Sequence, residues 1–164
     1  MKKKERVPEP FGIWLRAQCH REDVTGRIAR DVIGWEKSLG RELYCFSARW
    51  DFIAFVRAVT GMSAIAFADA QATLYRPGDF LTAHDDTAAG KNRLAAYVLS
   101  MTPAWRADMG GILEFLDANG HVGGGYVPTF NALNLFRVPQ VHCVSQVSLF
   151  GALRYSVTGW FRSH

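Results

Sequence analysis

From about residue 64 onward, short apolar or alternating segments are separated by Gly, Pro and Asn, and this pattern limits the possible fold more than any other feature. Such punctuation is typical of antiparallel β-structure. No helix-length pattern interrupts the segments, so β-α-β crossovers and a parallel sheet are not expected. The candidate strands lie near residues 65–76, 79–84, 93–102, 111–117, 125–129, 132–137, 141–150 and 153–162.

The number of strands and the segments before them predict the fold class. About a hundred residues in eight strands are typical of a jelly roll or cupin-like barrel. Apolar residues at helical spacing predict a helix over about residues 22–39, and Ser47 can cap a second helix that ends before Gly61. We therefore expect an α+β, mainly β fold, a double-stranded β-helix with N-terminal helices packed on one face. The predicted apolar stripe of the second helix is Phe52, Phe55, Val56 and Val59.

Length and charge predict one domain behind a short basic arm. With 164 residues and 49% hydrophobic residues, the chain has the size and composition of a single globular domain. The net charge of +4 is concentrated in the arm, at Lys2, Lys3, Lys4 and Arg6, so a nucleic-acid-binding groove is not expected. We predict an arm over residues 1–12 and a single domain over 13–164, with helices within 20–61 and the β-barrel over 64–162.

Cysteine usage and hydropathy indicate the cellular compartment. Cys19, Cys45 and Cys143 are odd in number and widely spaced, which indicates neither a disulfide framework nor a cysteine zinc site. Pro8 and Pro10 interrupt the region where a signal peptide would need an apolar run, and no stretch is long and apolar enough to cross a membrane. These features predict a cytoplasmic protein without a membrane segment and leave its oligomeric state undetermined.

His84 and Asp86 form an H-x-D pair at the end of a predicted strand. Because side chains alternate along a strand, these two can share one side while Asp85 points away. His142, in a late predicted strand, is a candidate third ligand. Two histidines and one carboxylate fit Fe(II) and leave coordination positions open, although zinc is chemically possible with the same ligands. The other such pair, in the segment 20–22, precedes a helix and is interpreted as surface.

Arg154 lies on the last predicted strand and shares a face with Ser156 and Trp160 by alternation. A buried arginine needs an anion. A dicarboxylate co-substrate would supply one, because guanidinium forms a bidentate pair with a carboxylate. The structural alternative is a salt bridge to Glu114 or Asp117.

These segments together resemble the 2-oxoglutarate- and Fe(II)-dependent oxygenases, and within them the prolyl 4-hydroxylase-like branch. The resemblance extends over about residues 75–161. It includes the segment 75–86 with its Gly-Asp turn and H-x-D pair, the glycine pair Gly110-Gly111, the distal His142 and the closing strand from Arg154. Each piece alone is common, but their order and spacing together indicate the family.

The resemblance implies Fe(II) bound by His84, Asp86 and His142, with 2-oxoglutarate and O₂ as co-substrates. It also implies that Arg154 binds the far carboxylate of 2-oxoglutarate and that Tyr75 reaches its other end. The implied reaction is hydroxylation of a C–H bond, with a prolyl residue of a polypeptide or a small amino-acid-like molecule as the substrate.

Two further residues are candidates for co-substrate binding. Ser156 is one because it shares a face with Arg154. Ser100 is the other, since it lies where this branch usually carries a tyrosine that holds the co-substrate carboxylate. Tyr97 would replace that tyrosine only if the strand register were shifted by one residue, which alternation disfavours.

There are two alternative functions, a second enzyme of the same superfamily and a non-catalytic module. A nucleic-acid demethylase of the same superfamily would carry a second arginine six residues after Arg154, where this chain has Trp160. A non-catalytic β-helix binding module would have no physical need for a buried arginine that faces two histidines and a carboxylate. We therefore expect an enzyme, with a nucleic-acid partner disfavoured.

Overall fold

The computed structural model describes residues 50–163. The predicted arm and the first predicted helix lie outside these residues. The described part contains the helix α1 (Trp50–Thr60), a 3₁₀ helix (Ala107–Met109) and nine strands. The strands are β1 (Phe67–Ala68), β2 (Gln71–Tyr75), β3 (Leu81–His84), β4 (Arg93–Ser100), β5 (Leu113–Leu116), β6 (Val122–Tyr126), β7 (Leu133–Arg137), β8 (His142–Val144) and β9 (Arg154–Arg162).

The strands form two sheets in which every pairing is antiparallel. In the major sheet, β9 lies between β4 on one side and β1 and β2 on the other, and β7 follows β4. The minor sheet has the order β3-β8-β5-β6. Two such sheets, with mostly non-sequential neighbours, confirm the predicted double-stranded β-helix.

Alternation along β9 gives its two faces different surroundings. Tyr155, Val157 and Phe161 belong to the main hydrophobic core, which Ile53 and Val56 of α1 also enter. Helix α1 thus packs on the outer face of the major sheet, as predicted. Because side chains alternate, the even-numbered residues of β9 lie on the opposite face, which the minor sheet covers.

A smaller cluster lies between the two sheets and forms the barrel interior. Its fully buried members come from three different strands of the two sheets. They are Val98 of β4, Leu113 of β5 and Val144 of β8, with Tyr75, Phe115 and Phe136 packed against them. The interior is therefore apolar apart from the polar groups that the next section describes.

Helix α1 is rotated relative to the predicted stripe. Ile53 and Val56 are buried, whereas Phe55 and Val59 are 54% and 62% exposed, so those two assignments were wrong. Several apolar residues occupy neighbouring positions of this helix, and packing against β9 selects one face among them. No helix in the described part of the chain is long and apolar enough to span a membrane.

The strand predicted over residues 65–76 is two strands, because the ladder is interrupted at Asp69. The Asp69 carboxylate accepts the Trp160 backbone N–H at 2.9 Å, which replaces part of the regular pairing. The Asp69 carbonyl comes so close to Gly159 that a Cβ there would lie 1.9 Å from it. Glycine at this position is therefore a steric requirement of the break.

Two other strand boundaries were predicted incorrectly. The strand expected over residues 125–129 is β6, which begins at Val122 and takes in three glycines. The run expected over 141–150 contains only β8, because the backbone beyond Val144 binds loops. The Ser148 N–H, for example, donates to the Met109 carbonyl at 2.9 Å. Local β-propensity is thus overridden by the partners that the tertiary fold supplies.

Tyr97, a core residue, stabilises the strand break at Asp69 through a hydrogen bond. Its side chain is 1% exposed and its hydroxyl donates to the Asp69 carbonyl at 2.9 Å. We predict that Tyr97→Phe lowers the free energy of unfolding by about 1–2 kcal/mol, because a partly buried acceptor loses its donor. Urea denaturation measures the change. Leu149→Ala, at an 87% exposed position, should change it by less than about 0.5 kcal/mol; equal effects of the two substitutions would contradict the assigned contact.

Candidate active site

His84, Asp86 and His142 lie together where β3 ends and β8 begins. The two histidines are directly paired across these strands. Nε2 of His84 lies 3.3 Å from Oδ1 of Asp86, and Nε2 of His142 lies 3.5 Å from Oδ2. One ligand atom from each residue lies within 4.8 Å of the others. The arrangement has the donor set and spacing that can surround one metal ion.

Backbone carbonyls fix the tautomers of both histidines. Nδ1 of His84 donates to the Thr82 carbonyl and Nδ1 of His142 to the Gln140 carbonyl, each at 2.8 Å. A carbonyl only accepts, so Nδ1 carries the proton and Nε2 presents its lone pair. Burial lowers the pKa of His142, although the Gln140 carbonyl acts in the opposite direction. Every residue has a carbonyl, so sequence reasoning had no signal for these two supports.

Asp86 reaches the histidines through a turn rather than through the strand alternation that the sequence predicted. Strand β3 ends at His84, and Asp86 has a φ of 65°, in the left-handed region. The Asp85 carboxylate is instead bound to Thr87: its Oδ1 accepts hydrogen bonds from the backbone N–H and the hydroxyl of Thr87 at 2.9 and 2.6 Å. The predicted ligands do lie together, but local backbone geometry brings the carboxylate to them.

Arg154 is a buried cation that has no anionic partner among the described residues. It is 2% exposed, and its Nη1 lies 3.4 Å from Ser156 Oγ. The guanidinium carbon lies 5.0 Å from the centre of the Tyr75 ring. Within residues 50–163, the alternative salt bridges to Glu114 and Asp117 do not form, and the Glu114 carboxylate accepts a hydrogen bond from Cys143 instead. Burial lowers the pKa of Arg154; an anionic ligand would compensate for that desolvation.

Hydroxyl groups surround Arg154 on the interior face of the major sheet. Tyr75 pairs with Arg154 across β2 and β9, and burial raises the pKa of Tyr75. Ser156 Oγ lies 2.7 Å from the hydroxyl of Thr73, a residue that sequence reasoning missed although alternation places it beside Tyr75. Ser100 is directly opposite Ser156, is 1% exposed, and its hydroxyl has no partner among the described residues.

Tyr97 does not belong to this group. Its ring packs in the core under α1, against Phe52 and Phe161. The register pairs Ser100 with Ser156, as alternation predicted. The shifted register that would let Tyr97 replace the missing tyrosine therefore does not occur.

The glycine pair Gly110-Gly111 allows the backbone to pack closely against the Gln146 carbonyl and the Arg154 side chain. A Cβ at Gly110 would lie 1.9 Å from the Gln146 carbonyl oxygen, and a Cβ at Gly111 would lie 2.9 Å from Cδ of Arg154. Gly111 also has a φ of 62°, which side chains disfavour. The structure thus has the close approach of the backbone that was predicted at this glycine pair.

Comparison with known proteins follows the same segments. A sequence profile described as the 2OG-Fe(II) oxygenase superfamily matches residues 70–162. The chain belongs to this superfamily. Members of this family use Fe(II), 2-oxoglutarate and O₂, and the matched range contains every side chain of the site described above.

Curated relatives of this chain include prolyl 3-hydroxylase OGFOD1 from Mus musculus, which is 33% identical over 118 residues, and its counterpart from Xenopus laevis, which is 35% identical over 118 residues. Each alignment covers 68% of this chain but only 21% and 23% of the respective relative. The chain thus spans about a fifth of the length of these proteins.

Solved structures show the same fold. A prolyl-4-hydroxylase from Pseudomonas putida is 24% identical with a TM-score of 0.62, covering 95% of this chain and 83% of that chain. A prolyl hydroxylase from Trichoplax adhaerens, in complex with a hypoxia inducible factor oxygen degradation domain peptide fragment, is 25% identical with a TM-score of 0.51. That match covers 60% of this chain and 46% of the other.

Substitution at Gly111 tests the packing around Arg154. We predict that Gly111→Ala lowers the free energy of unfolding by at least about 1 kcal/mol more than Gly90→Ala, because a methyl group must displace the arginine side chain. Gly90 has a similar φ of 69° with nothing near its Cβ position, so it isolates the backbone cost. Urea denaturation compares the two variants. Equal losses of stability in the two variants would mean that the close contact between Gly111 and Arg154 does not contribute to the free energy of unfolding.

Proposed function

We propose that this oxygenase hydroxylates a prolyl residue of a polypeptide at the site formed by His84, Asp86, His142 and Arg154. The observation that carries the proposal is the buried Arg154 guanidinium, without an anion among the described residues, in the same barrel interior as the His-Asp-His cluster. Iron with a bound 2-oxo acid needs a set of metal ligands, and the second carboxylate of that acid needs a cation to pair with. The site offers both.

The three candidate ligands fit Fe(II). Each histidine presents Nε2 with its Nδ1 already hydrogen-bonded, and the Asp86 carboxylate has one oxygen directed at each histidine. Two imidazoles and one carboxylate would occupy three positions and leave others for co-substrates. When bound there, Fe(II) with 2-oxoglutarate and O₂ supplies the oxidation that converts a C–H bond to C–OH, with succinate and CO₂ as the other products.

The residues around Arg154 would bind and orient the co-substrate. The guanidinium would pair with the far carboxylate of 2-oxoglutarate, and its orientation is limited by Ser156 and by the Tyr75 ring. The Ser100 hydroxyl is buried, has no partner within residues 50–163, and is a further donor at the same end. Tyr75 would contact the co-substrate from β2. These roles would give an acceptor to the Ser100 hydroxyl and to Nε of Arg154, two buried groups that have no partner among the described residues.

Aromatic side chains make the surroundings of His142 apolar. The ring centre of Phe136 lies 4.7 Å from that of His142, and Phe115 packs on Phe136 at 5.0 Å. They hold the imidazole in place and limit access of water to it. A water-poor site protects a strong oxidant from unproductive reactions.

The names of the relatives support a prolyl substrate within a polypeptide, since both curated relatives are prolyl 3-hydroxylases. A small amino-acid-like molecule is the other substrate class that the site could accept.

For the cellular location we propose the cytoplasm, because the three cysteines show no disulfide pattern.

Neighbouring carboxylates provide a matched test of the metal centre. We predict that Asp86→Ala abolishes tight binding of Fe(II), because the cluster loses its only anionic ligand, while Asp85→Ala retains it. Anaerobic titration of the metal-free protein with Fe(II) and then 2-oxoglutarate measures this, through the visible charge-transfer band of the iron–keto acid complex. If Asp85→Ala and Asp86→Ala behave alike, the assignment of Asp86 is wrong.

Turnover with defined peptides tests the reaction itself. Proline-containing peptides should stimulate succinate release and gain the mass of one oxygen atom at proline, whereas the same peptides with alanine in place of proline should not. Tandem mass spectrometry locates the modified residue, and NMR of the product distinguishes C3 from C4. Free proline and other amino acids test the small-molecule alternative, and if they alone are modified the polypeptide proposal fails.

Conservative change of the arginine separates co-substrate binding from folding. Arg154→Lys keeps the charge but loses the bidentate geometry, so the 2-oxoglutarate concentration for half-maximal rate should rise about tenfold or more. Arg162→Lys is the matched control, since Arg162 lies at the other end of β9 from Arg154 and pairs with Asp69. Unchanged 2-oxoglutarate dependence in a folded Arg154→Lys variant would contradict the proposed co-substrate site.

A further inference from the structure

Arg93, at the start of β4, is held between Trp160 and Asp86. Its Nη1 donates to the Asp86 carbonyl at 2.9 Å and lies 4.0 Å from the carboxylate oxygen Oδ1. Its guanidinium carbon lies 3.6 Å from the centre of the Trp160 ring, which is close stacking. The guanidinium is thus restrained both by an aromatic face and by a backbone acceptor.

The residue that Arg93 contacts needs such a restraint. Asp86 lies beyond the last residue of β3, so the strand ladder does not fix it. Its φ of 65° is a conformation that residues other than glycine seldom adopt. A conformation of this kind persists only when the surrounding structure holds it. The hydrogen bond from Arg93 to the Asp86 carbonyl acts on this same residue.

An irregularity in the sheet accompanies this contact. The β4–β9 register shifts between Arg93 and Ala95, where the pairing passes from Arg162 to Phe161. Such irregularities change the direction of a side chain relative to the regular ladder and occur next to active sites. Beyond this point the pairing is regular, with Ala96 opposite Trp160. The shift therefore marks the position at which Arg93 bridges the sheet and the turn that carries Asp86.

We propose that Arg93 is a positioning residue for the metal centre: stacked on Trp160, it holds Asp86 in its left-handed conformation and so keeps the carboxylate between the two histidines. Its hydrogen bond goes to the main-chain carbonyl, so the carboxylate oxygens stay directed at His84 and His142, at 3.3 and 3.5 Å. The inference rests on the proposed metal centre.

The first test is metal affinity. Arg93→Met removes the donor and the charge but keeps an unbranched side chain over Trp160. We expect it to weaken Co(II) binding to the metal-free protein about 10- to 100-fold, as loss of a residue that supports a ligand does. Arg162→Met is the matched control, because it removes a guanidinium that also pairs with an aspartate and lies over an aromatic ring. It should leave the affinity within about twofold of the wild-type value.

Arg93→Lys provides graded rescue. Lysine keeps the charge and one donor for the Asp86 carbonyl but loses the planar stacking on Trp160. Its Co(II) affinity and visible Co(II) spectrum should lie between those of the wild type and Arg93→Met. A purely structural arginine would instead lower stability in urea without a matching change in the Co(II) spectrum.

The second test does not need a metal. A residue with positive φ has a short distance between its amide proton and Hα, so Asp86 should give a strong intraresidue NOE in the metal-free wild-type protein. Arg93→Met should weaken that NOE, and Arg162→Met should not. If folded Arg93→Met keeps both the NOE and the Co(II) affinity, the inference is overturned. If the wild type binds no Co(II) but the NOE depends on Arg93, the metal centre is wrong and the control of the Asp86 backbone stands.

Discussion

Pairing of β9 with β4 is the interaction on which both sides of this molecule depend. It places Ser156 opposite Ser100 and Trp160 opposite Ala96 on the face toward the minor sheet. The alternate residues Tyr155 and Val157 complete the core under α1. A slip by one residue would exchange the two faces, burying aromatic rings in the site and a guanidinium in the apolar core. Hydrophobic burial on the outer face therefore fixes the position of Arg154 on the inner one.

Burial of Arg154 on the inner face has a desolvation cost, and the described groups around the guanidinium offset that cost only partly. Arg154 loses most of its hydration, and the Tyr75 ring and Ser156 hydroxyl are weaker partners than a carboxylate. Asp86, in contrast, is bordered by Arg93 and two imidazoles. Among the described residues, the Asp86 carboxylate thus has a cation nearby, Arg93, whereas Arg154 has no anionic partner. Binding of an anionic co-substrate should accordingly stabilise the folded state by mass action.

Loops and strand ends give the site its final geometry. Asp86 lies in a turn, Gly111 permits the approach of a loop to Arg154, and carbonyls of Thr82 and Gln140 orient the histidines. A rigid two-sheet scaffold holds these short segments in register. Functional residues often lie at strand ends, because the backbone groups there are not part of the hydrogen-bond ladder of the sheet and side chains can converge.

The sequence by itself predicted the antiparallel double-stranded β-helix, because turn residues and apolar alternation are local signals. It also predicted which residues share the interior face of β9, since a period of two follows from strand geometry. It grouped His84, Asp86 and His142 as candidate ligands from residue type, spacing and resemblance. Those parts needed no knowledge of which strands are neighbours.

Only the tertiary structure decided how distant groups meet. The face that α1 buries, the break at Asp69 and the short length of β8 depend on partners supplied by other segments. The turn at Asp86 and the bridge from Arg93 to Trp160 likewise depend on contacts across the fold. The physical reason is that steric fit and hydrogen-bond satisfaction are settled between segments far apart in the chain, whereas periodicity is a property of each segment alone.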